Sequence, residues 1–255
     1  MPKQSPWLYP FKTPFRLKPN ILRDISLEAL LAICLFLSSL LFLYLLVHLI
    51  ILQKENWVDL QAFLFLKPFL SPAHTRIAVA FTFFGTGTFL IPNYIVIAAY
   101  CIRKKRAQYA RMVSTVVLSN LVLGWLLKEV FHRPRPLYPL IGGAGGYSFP
   151  SGHALGGFVF SLIVLYLIWQ TQKKTLIKWI ASLIMAAFGI LIGLSRIYLH
   201  VHYATDVIGS LLITLIWCSG FYIFFRVIYI NRTQGKDLLY YPDTNMVTEN
   251  FNLRS

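Results

Sequence analysis

Charged residues are scarce in this chain of 255 residues: only 13% are Asp, Glu, Lys or Arg, whereas 57% are hydrophobic. Soluble domains carry about a quarter charged residues and slightly under half apolar ones. The mean hydropathy of +0.63 points the same way. This composition argues against a disordered tail protein, a collagen-like fibre and an ordinary cytosolic enzyme.

Acidic residues are especially few. Nine Asp and Glu stand against 24 Lys and Arg, which gives a formal net charge of +15. In a soluble protein such an excess suggests a nucleic-acid partner. In a membrane protein it reflects the collection of Lys and Arg in cytoplasmic loops. The positions of the basic residues therefore decide between the two interpretations.

Cysteine is also rare. Cys34, Cys101 and Cys218 lie far apart, each within or at the edge of an apolar run. An odd number without CxxC or Cys/His spacing argues against a disulfide framework and a metal site. We expect three small buried side chains.

Long apolar stretches are abundant. A hydrocarbon core of roughly 30 Å requires about 18 or more such residues. Six stretches reach or come within two residues of that length: Ile25–Leu52, Ile77–Ile102, Met112–Leu127, His153–Trp169, Leu176–Leu194 and Tyr203–Ile230. They predict an all-α polytopic membrane protein with six transmembrane helices, the second kinked at Pro92-Asn93.

The flanking segments differ in composition. Residues 1–24 are basic and aromatic, contain five prolines and have no short apolar region of a cleavable signal. We expect them to rest on an anionic membrane surface. The division is then an interfacial segment 1–24, a membrane domain 25–230 and a polar cytoplasmic tail 231–255.

The basic residues follow an alternating pattern. With a cytoplasmic N-terminus, 17 of the 24 fall in the cytoplasmic segments 1–24, 103–111, 170–179 and 226–255. The other side keeps seven: Lys54, Lys67, Arg76, Lys128, Arg133, Arg135 and Arg196. The positive-inside rule therefore predicts both termini in the cytoplasm. The surplus charge is explained by topology, and no nucleic-acid partner is expected.

Three polar patches interrupt the apolar pattern on the predicted outer side. They are 128–136 (KEVFHRPRP), 147–153 (YSFPSGH) and 195–206 (SRIYLHVHYATD). Ionisable residues at membrane depth are costly and usually functional. Each alone has an ordinary explanation, such as a lysine snorkelling from a helix end, but their recurrence on one side favours a single site.

The chemistry of these patches suits a phosphoryl group. Ser151 is a good helix N-cap, and free N–H groups at such a terminus bind anions. Gly152 lets backbone approach a ligand, and His153 follows in the first turn. His202 and Asp206 are spaced i and i+4, so on a helix a carboxylate would orient the imidazole as a nucleophile. The cations are Lys128, Arg135 and Arg196.

These motifs resemble those of the type-2 phosphatidic acid phosphatase superfamily. Its signature K-x6-R-P, P-S-G-H and S-R-x5-H-x3-D is matched completely between Lys128 and Asp206. The resemblance implies that His202 forms a phosphohistidine, that Asp206 orients it and that His153 is the general acid. It further implies that Lys128, Arg135, Arg196, Ser151 and Gly152 bind the phosphate, without a metal or other cofactor.

The resemblance also implies a reaction and its partners. We expect a lipid phosphatase in the bilayer, acting at the extracytoplasmic face of a bacterial inner membrane. Candidate substrates are undecaprenyl pyrophosphate, phosphatidylglycerophosphate, phosphatidic acid and lipid A. A lipid phosphotransferase and a non-catalytic lipid transporter or binder are the alternatives. His132 and Arg133 are treated as loop residues, with head-group contact as their functional alternative, and His200 as structural.

Overall fold

The structure is a computed structural model that describes residues 27–48, 57–143, 145–171 and 174–237, with side chains up to residue 225. Eight α-helices occur in these ranges, and no strand does. The helices are α1 Leu27–Leu46, α2 Trp57–Leu66, α3 Pro72–Phe83, α4 Gly87–Arg103, α5 Ala107–Phe131, α6 Gly152–Trp169, α7 Thr175–Tyr198 and α8 Ala204–Asp237.

Six segments are long and apolar enough to cross a membrane, which confirms the predicted all-α class and the number of spans. Their bounds are Leu27–Leu46, Pro72–Arg103, Ala107–Phe131, Gly152–Trp169, Thr175–Tyr198 and Ala204–Phe225. Residues 1–24 lie outside the described ranges, as do residues 238–255 of the predicted tail. Helix α8 continues to Asp237, beyond the predicted end at Ile230.

The second span departs from its prediction. The chain breaks at Phe84–Thr86, between α3 and α4, and α4 runs continuously through Pro92. The break has a local cause, since Thr86 is the N-cap of α4 and its hydroxyl accepts from the Phe89 amide. The break between α3 and α4 therefore lies upstream of Pro92-Asn93, because the capping residue Thr86 sets the boundary. The kink at Pro92-Asn93 stays a prediction.

Helix α2 is absent from the sequence-based assignment. Its ten residues are too few to span a bilayer and carry one acidic residue, Asp59, in the first turn. A short 3-10 turn, Lys67–Phe69, links α2 toward α3. Asp59 is nevertheless only 1% exposed, so this short helix places a carboxylate in the interior of the protein.

Helix α6 lies at the centre of the bundle. It is the most buried span and packs against α4, α5, α7 and α8. Glycines permit the close approach to α7: a Cβ added at Gly157 would lie 2.9 Å from Ile192, and one at Gly189 would lie 2.9 Å from Phe158. The core of the membrane domain therefore forms around α6.

Helix α1 is the least buried span and packs on α8. Many of its leucines are exposed, as expected of side chains that face lipid. Cys34 on this helix is exposed, whereas Cys101 is buried and Cys218 half-buried. The prediction of three buried cysteines is therefore wrong for Cys34, because none of the described residues covers the outer face of α1 there.

The alternating direction of successive helices brings four helix ends together. Helices α5 and α7 end at the side of the bundle where α6 and α8 begin. At this end α5 closes with His132 in the left-handed region, φ 45°, and its N–H donates to the Lys128 carbonyl. Residues 133–143 and 145–151 then cross this side, and we call them the site loop.

The site loop is fixed to the bundle by Phe149. Its ring is fully buried and meets Phe131 edge-on, with ring centroids 4.9 Å apart. On the other side the ring covers Gly209 of α8, where any Cβ would overlap it. This anchoring places Pro150 and Ser151 at the N-terminus of α6.

Candidate active site

The polar patches predicted to share one side converge in the structure. Lys128 lies in the last turn of α5, Arg135 in the site loop, Arg196 in the last turn of α7, and His153 in the first turn of α6. His153 lies within the electrostatic reach of all three cations and of His202. Every side chain of the predicted site thus lies at the same end of the bundle, around α6.

His202 and Asp206 form the centre of this cluster. The His202 Nδ1 atom lies 3.4 Å from Asp206 Oδ2, and the two side chains are 2% and 0% exposed. His202 lies in the turn before α8, which begins only at Ala204. The expected pairing is present, but the turn rather than a helical repeat creates it.

Local capping explains why Asp206 faces that turn. Asp206 is the third residue of α8, and its Oδ2 accepts from the Tyr203 amide at 2.9 Å. A carboxylate reaching back from this position to the N-cap amide is one half of a capping box. Ser148 of the site loop also donates its hydroxyl proton to Oδ2. The carboxylate is therefore held on the His202 side by backbone and loop together.

The ring nitrogens of His202 have different neighbours. Nδ1 faces the Asp206 carboxylate, which only accepts, whereas Nε2 lies 3.2 Å from Arg135 Nη1, which only donates. This pattern fits the neutral tautomer with the proton on Nδ1 and a lone pair on Nε2. Nε2 is the atom that a nucleophilic histidine would use.

Burial keeps this imidazole neutral. It lowers the pKa of His202 from 6.5 to about 4, and Arg135 and Arg196 act in the same direction. The hydrogen bond and charge of Asp206 raise the pKa but do not offset the desolvation. At neutral pH Nε2 therefore carries a lone pair, which accepts from Arg135 in this structure.

The three cations lack acidic partners. Among the described residues, no carboxylate lies within 4 Å of Lys128, Arg135 or Arg196. Lys128 donates to the Tyr147 carbonyl at 2.6 Å, and Arg135 to the carbonyls of Gly145, Gly146 and Val201 at 2.8, 3.0 and 2.7 Å. Partial charges on carbonyl oxygens compensate these cations only in part, so the cluster favours an anion.

Two buried polar atoms strengthen this conclusion. Within the described part of the chain, the Ser151 hydroxyl and Arg196 Nε have no hydrogen-bond partner. Ser151 occupies the N-cap position of α6, as predicted, but its side chain makes no capping bond. Buried polar groups in proteins are nearly always satisfied. Both atoms can donate to an oxygen-rich ligand placed between the helix ends.

The glycines near the site have two roles. Gly152 leaves room for a ligand beside the backbone, and the glycines of the site loop allow its conformation. No atom lies within 4 Å of a Cβ built on Gly152, so a ligand can approach the first amides of α6. Gly143 and Gly146 have φ of +82° and +71°, which a side chain would disfavour. The glycines therefore shape the loop whose carbonyls Lys128 and Arg135 hold.

Other predicted residues take different places. Glu129 lies 3.9 Å from His132 on the exposed side of α5. His200 packs against Phe63 with centroids 4.7 Å apart, and burial lowers its pKa. A packing role is thus visible for His200, which supports the structural interpretation.

Arg133 lies in the site loop, as expected, but the sequence analysis missed its buried ion pairs. Its guanidinium is 11% exposed and pairs with Asp206 Oδ1 at 2.6 Å and with Asp59 Oδ2 at 2.7 Å. It is therefore a buried partner of the central carboxylate and not a free loop cation. The scarcity of acidic residues was the available signal, since Asp59 is the lone carboxylate of an otherwise uncharged helix.

Comparisons with known proteins agree with the geometry. Residues 108–229 match the model of the PAP2 superfamily. Phosphatidylglycerophosphatase B of Bacillus subtilis is 28% identical over 62% of this chain and 76% of its own length. Undecaprenyl-diphosphatase BcrC of the same species is 34% identical over 48% of this chain and 58% of its own.

A solved structure is similar across nearly its full length. It is the crystal structure of a transmembrane PAP2-type phosphatidylglycerolphosphate phosphatase from Bacillus subtilis. The TM-score is 0.62 and the identity 25%, and the match covers 81% of this chain and 98% of the other. The three matched motifs, the sequence relatives and this fold all lead to one family.

The environment of His202 leads to a testable titration. A pKa below the unfolded value means that the folded state binds fewer protons than the unfolded state between pH 6.5 and about 4. The His202 contribution to stability is thus complete above pH 6.5 and declines as the pH falls to about 4. Nitrogen NMR of histidine-labelled protein, assigned with His202→Gln, should show His202 neutral at pH 5.5. A ring titrating near 6.5 would contradict the described burial.

Proposed function

Because the chain belongs to the PAP2 superfamily, we propose that it is an integral membrane phosphatase that hydrolyses a phosphomonoester or pyrophosphate of a lipid through a phosphohistidine. The six spans and the bacterial relatives support residence in a membrane. The superfamily supports a phosphatase reaction. Residues 25–230 form the catalytic membrane domain in this proposal.

The observation that carries the proposal is the cluster of unpaired cations around a neutral histidine. Lys128, Arg135 and Arg196 meet there without a carboxylate partner among the described residues, and Arg196 Nε and the Ser151 hydroxyl are unused. A phosphate dianion supplies several acceptor oxygens and the missing negative charge. A neutral lipid or a cation would leave these donors unsatisfied.

In the first step the His202 Nε2 lone pair attacks phosphorus. The bond from phosphorus to the lipid oxygen breaks, and His153 donates a proton to that oxygen. Asp206 keeps the Nδ1 proton and stabilises the charge that develops on the ring. Lys128, Arg135 and Arg196 neutralise the oxygens of the transferred group, with Ser151 and the Gly152 amide assisting.

Arg135 has to turn from its present partners for this step. It now donates to His202 Nε2 and to the carbonyls of the site loop. Phosphate oxygens replace these acceptors, which frees Nε2 for attack. The site loop therefore relaxes when substrate enters.

In the second step water attacks the phosphohistidine. His153, now deprotonated, accepts a proton from the water as its oxygen bonds to phosphorus. The phosphorus–nitrogen bond breaks, and inorganic phosphate leaves with His202 neutral again. Attack by a lipid hydroxyl instead of water would make the enzyme a phosphotransferase, which a product assay distinguishes.

An amphiphilic substrate suits the surroundings of the site. Trp125 and Val130 flank Lys128 on α5 and are 61% and 70% exposed, and Leu137 of the site loop is 77% exposed. Such apolar surface next to an anion site fits a phosphate carried by a lipid tail. Phosphatidylglycerophosphate and undecaprenyl pyrophosphate lead the substrate candidates, because relatives acting on them match this chain.

Turnover by the purified protein tests the reaction. Wild-type protein in detergent should release phosphate from at least one member of a panel containing phosphatidylglycerophosphate, undecaprenyl pyrophosphate, phosphatidic acid and lipid A. His202→Ala should reduce kcat by about 10³-fold or more. His74→Ala, at an exposed residue of α3, is the matched control and should keep most of the activity. Equal turnover by wild type and His202→Ala would overturn the proposed nucleophile, and a phosphorylated lipid product would indicate transfer.

The active site faces the outside of the cell in this proposal. Arg103–Arg106, Lys174 and Lys178 lie at the bundle end opposite the site, which the positive-inside rule assigns to the cytoplasm. A protein without its native cysteines can carry Leu137→Cys or Lys104→Cys. A membrane-impermeant maleimide should label intact cells through position 137 only. Labelling through position 104 alone would move the site to the cytoplasmic face.

A further inference from the structure

Two buried carboxylates share one guanidinium beside the proposed nucleophile. Asp59 is 1% exposed and Asp206 is 0% exposed, and Arg133 forms ion pairs with both. The proposed reaction uses Asp206, but it gives no role to Asp59 or Arg133. Buried charges of this kind are costly unless each is paired and hydrogen-bonded.

Arg133 holds one oxygen of Asp206 and leaves the other to His202. Nη1 donates to Oδ1 at 2.6 Å, whereas Oδ2 accepts from Ser148 and the Tyr203 amide and faces His202 Nδ1. The guanidinium thereby fixes rotation of the carboxylate about its last torsion. It also lies 4.2 Å from the centroid of the Tyr203 ring, which limits its own movement.

Asp59 holds Arg133 in turn. Its Oδ2 accepts from Arg133 Nη2 at 2.7 Å, and its Oδ1 accepts from the Thr205 amide at 2.9 Å. The Thr205 hydroxyl lies 2.9 Å from both Asp59 oxygens and 2.7 Å from Arg133 Nη1. Helix α2, the site loop and the first turn of α8 are therefore joined through one polar network.

The network also sets how much negative charge reaches His202. With one guanidinium between two carboxylates, Arg133 neutralises Asp206 only partly. Loss of Arg133 leaves Asp206 more negative, and loss of Asp59 leaves Arg133 to Asp206 alone. The proton affinity of the His202–Asp206 pair should therefore change in opposite directions.

We propose that Arg133, anchored by Asp59, is a positioning residue that fixes the Asp206 carboxylate and sets its effective charge toward His202. This inference rests on the proposed function, since it concerns the same nucleophile. It assigns a catalytic purpose to α2, which is too short to span the membrane. In this proposal both residues act through Asp206 and not by contact with the substrate.

The competing interpretation is that the network only stabilises the packing of α2 against α8. It predicts lower stability for every variant but no opposite changes in titration. The charged and titratable groups around His202 come from several neighbouring elements, and each of them can influence its titration. They are Lys128 from α5, His153 from α6, Arg196 from α7, Asp206 from α8, and Arg133 and Arg135 from the site loop.

The pH dependence of turnover tests the proposal. The acidic limb of kcat/KM is compared between wild type, Arg133→Gln and Asp59→Asn with one lipid phosphate, so that substrate titration is common to all. The pH at the midpoint of this acidic limb should rise by about 0.5 pH unit or more in Arg133→Gln. It should fall in Asp59→Asn. In Arg133→Gln kcat should fall about 10-fold or more while KM stays within about 3-fold, because phosphate binding is untouched. Arg133→Lys should restore the position of the limb more than its kcat.

Two controls separate positioning from stability. Val113→Ala truncates a residue that is 1% exposed on α5, outside the polar network, and should lower the thermal midpoint without moving the limb. Arg76→Gln removes an exposed cation of α3 and should change neither quantity. Limbs that stay in place, or move together, in the two network variants would overturn the proposal. An inactive wild type would instead overturn the proposed function.

Discussion

The site is organised around a carboxylate that has been taken completely out of water. Asp206 is 0% exposed, and an isolated charge at such a position would cost several kcal/mol. Arg133, Ser148 and the Tyr203 amide offset this cost, and each comes from a different stretch of the chain. The first turn of α8, the site loop and α2 take their relative positions from this requirement.

The same burial keeps the neighbouring imidazole uncharged, whereas Asp206 stays ionised. Desolvation holds the pKa of His202 at about 4, so that the ring is neutral beside an ionised carboxylate. The surrounding cations reinforce the neutral form, and they leave a surplus of positive charge that phosphate can satisfy. A neutral nucleophile and an anion-binding cleft thus follow from one arrangement of charges.

Much of this was predictable from the sequence, for identifiable physical reasons. The six spans follow from the length of apolar runs, and the side chains of the site follow from three motifs that match a known signature. The polar partners of Asp206 were less accessible: Asp59 and Arg133 are 74 positions apart, and α2 is too short and too uniformly apolar for a hydropathy pattern to mark it. The i and i+4 spacing of His202 and Asp206 suggests a helix that includes both residues, whereas the cap at Tyr203 makes α8 begin only after His202. The break at Phe84–Thr86 similarly depends on a threonine cap, which is a weaker signal than the nearby Pro92.

The central claim is that His202 carries the phosphoryl group during turnover. Wild-type protein mixed with a lipid substrate labelled in its phosphate should be quenched within milliseconds at alkaline pH, where phosphohistidine persists, and digested for mass spectrometry. The account predicts a phosphate on His202 that appears before free phosphate, decays as phosphate is released and is missing from His202→Ala. Phosphate release with no label on His202 at any time, or with label on another side chain, would contradict it.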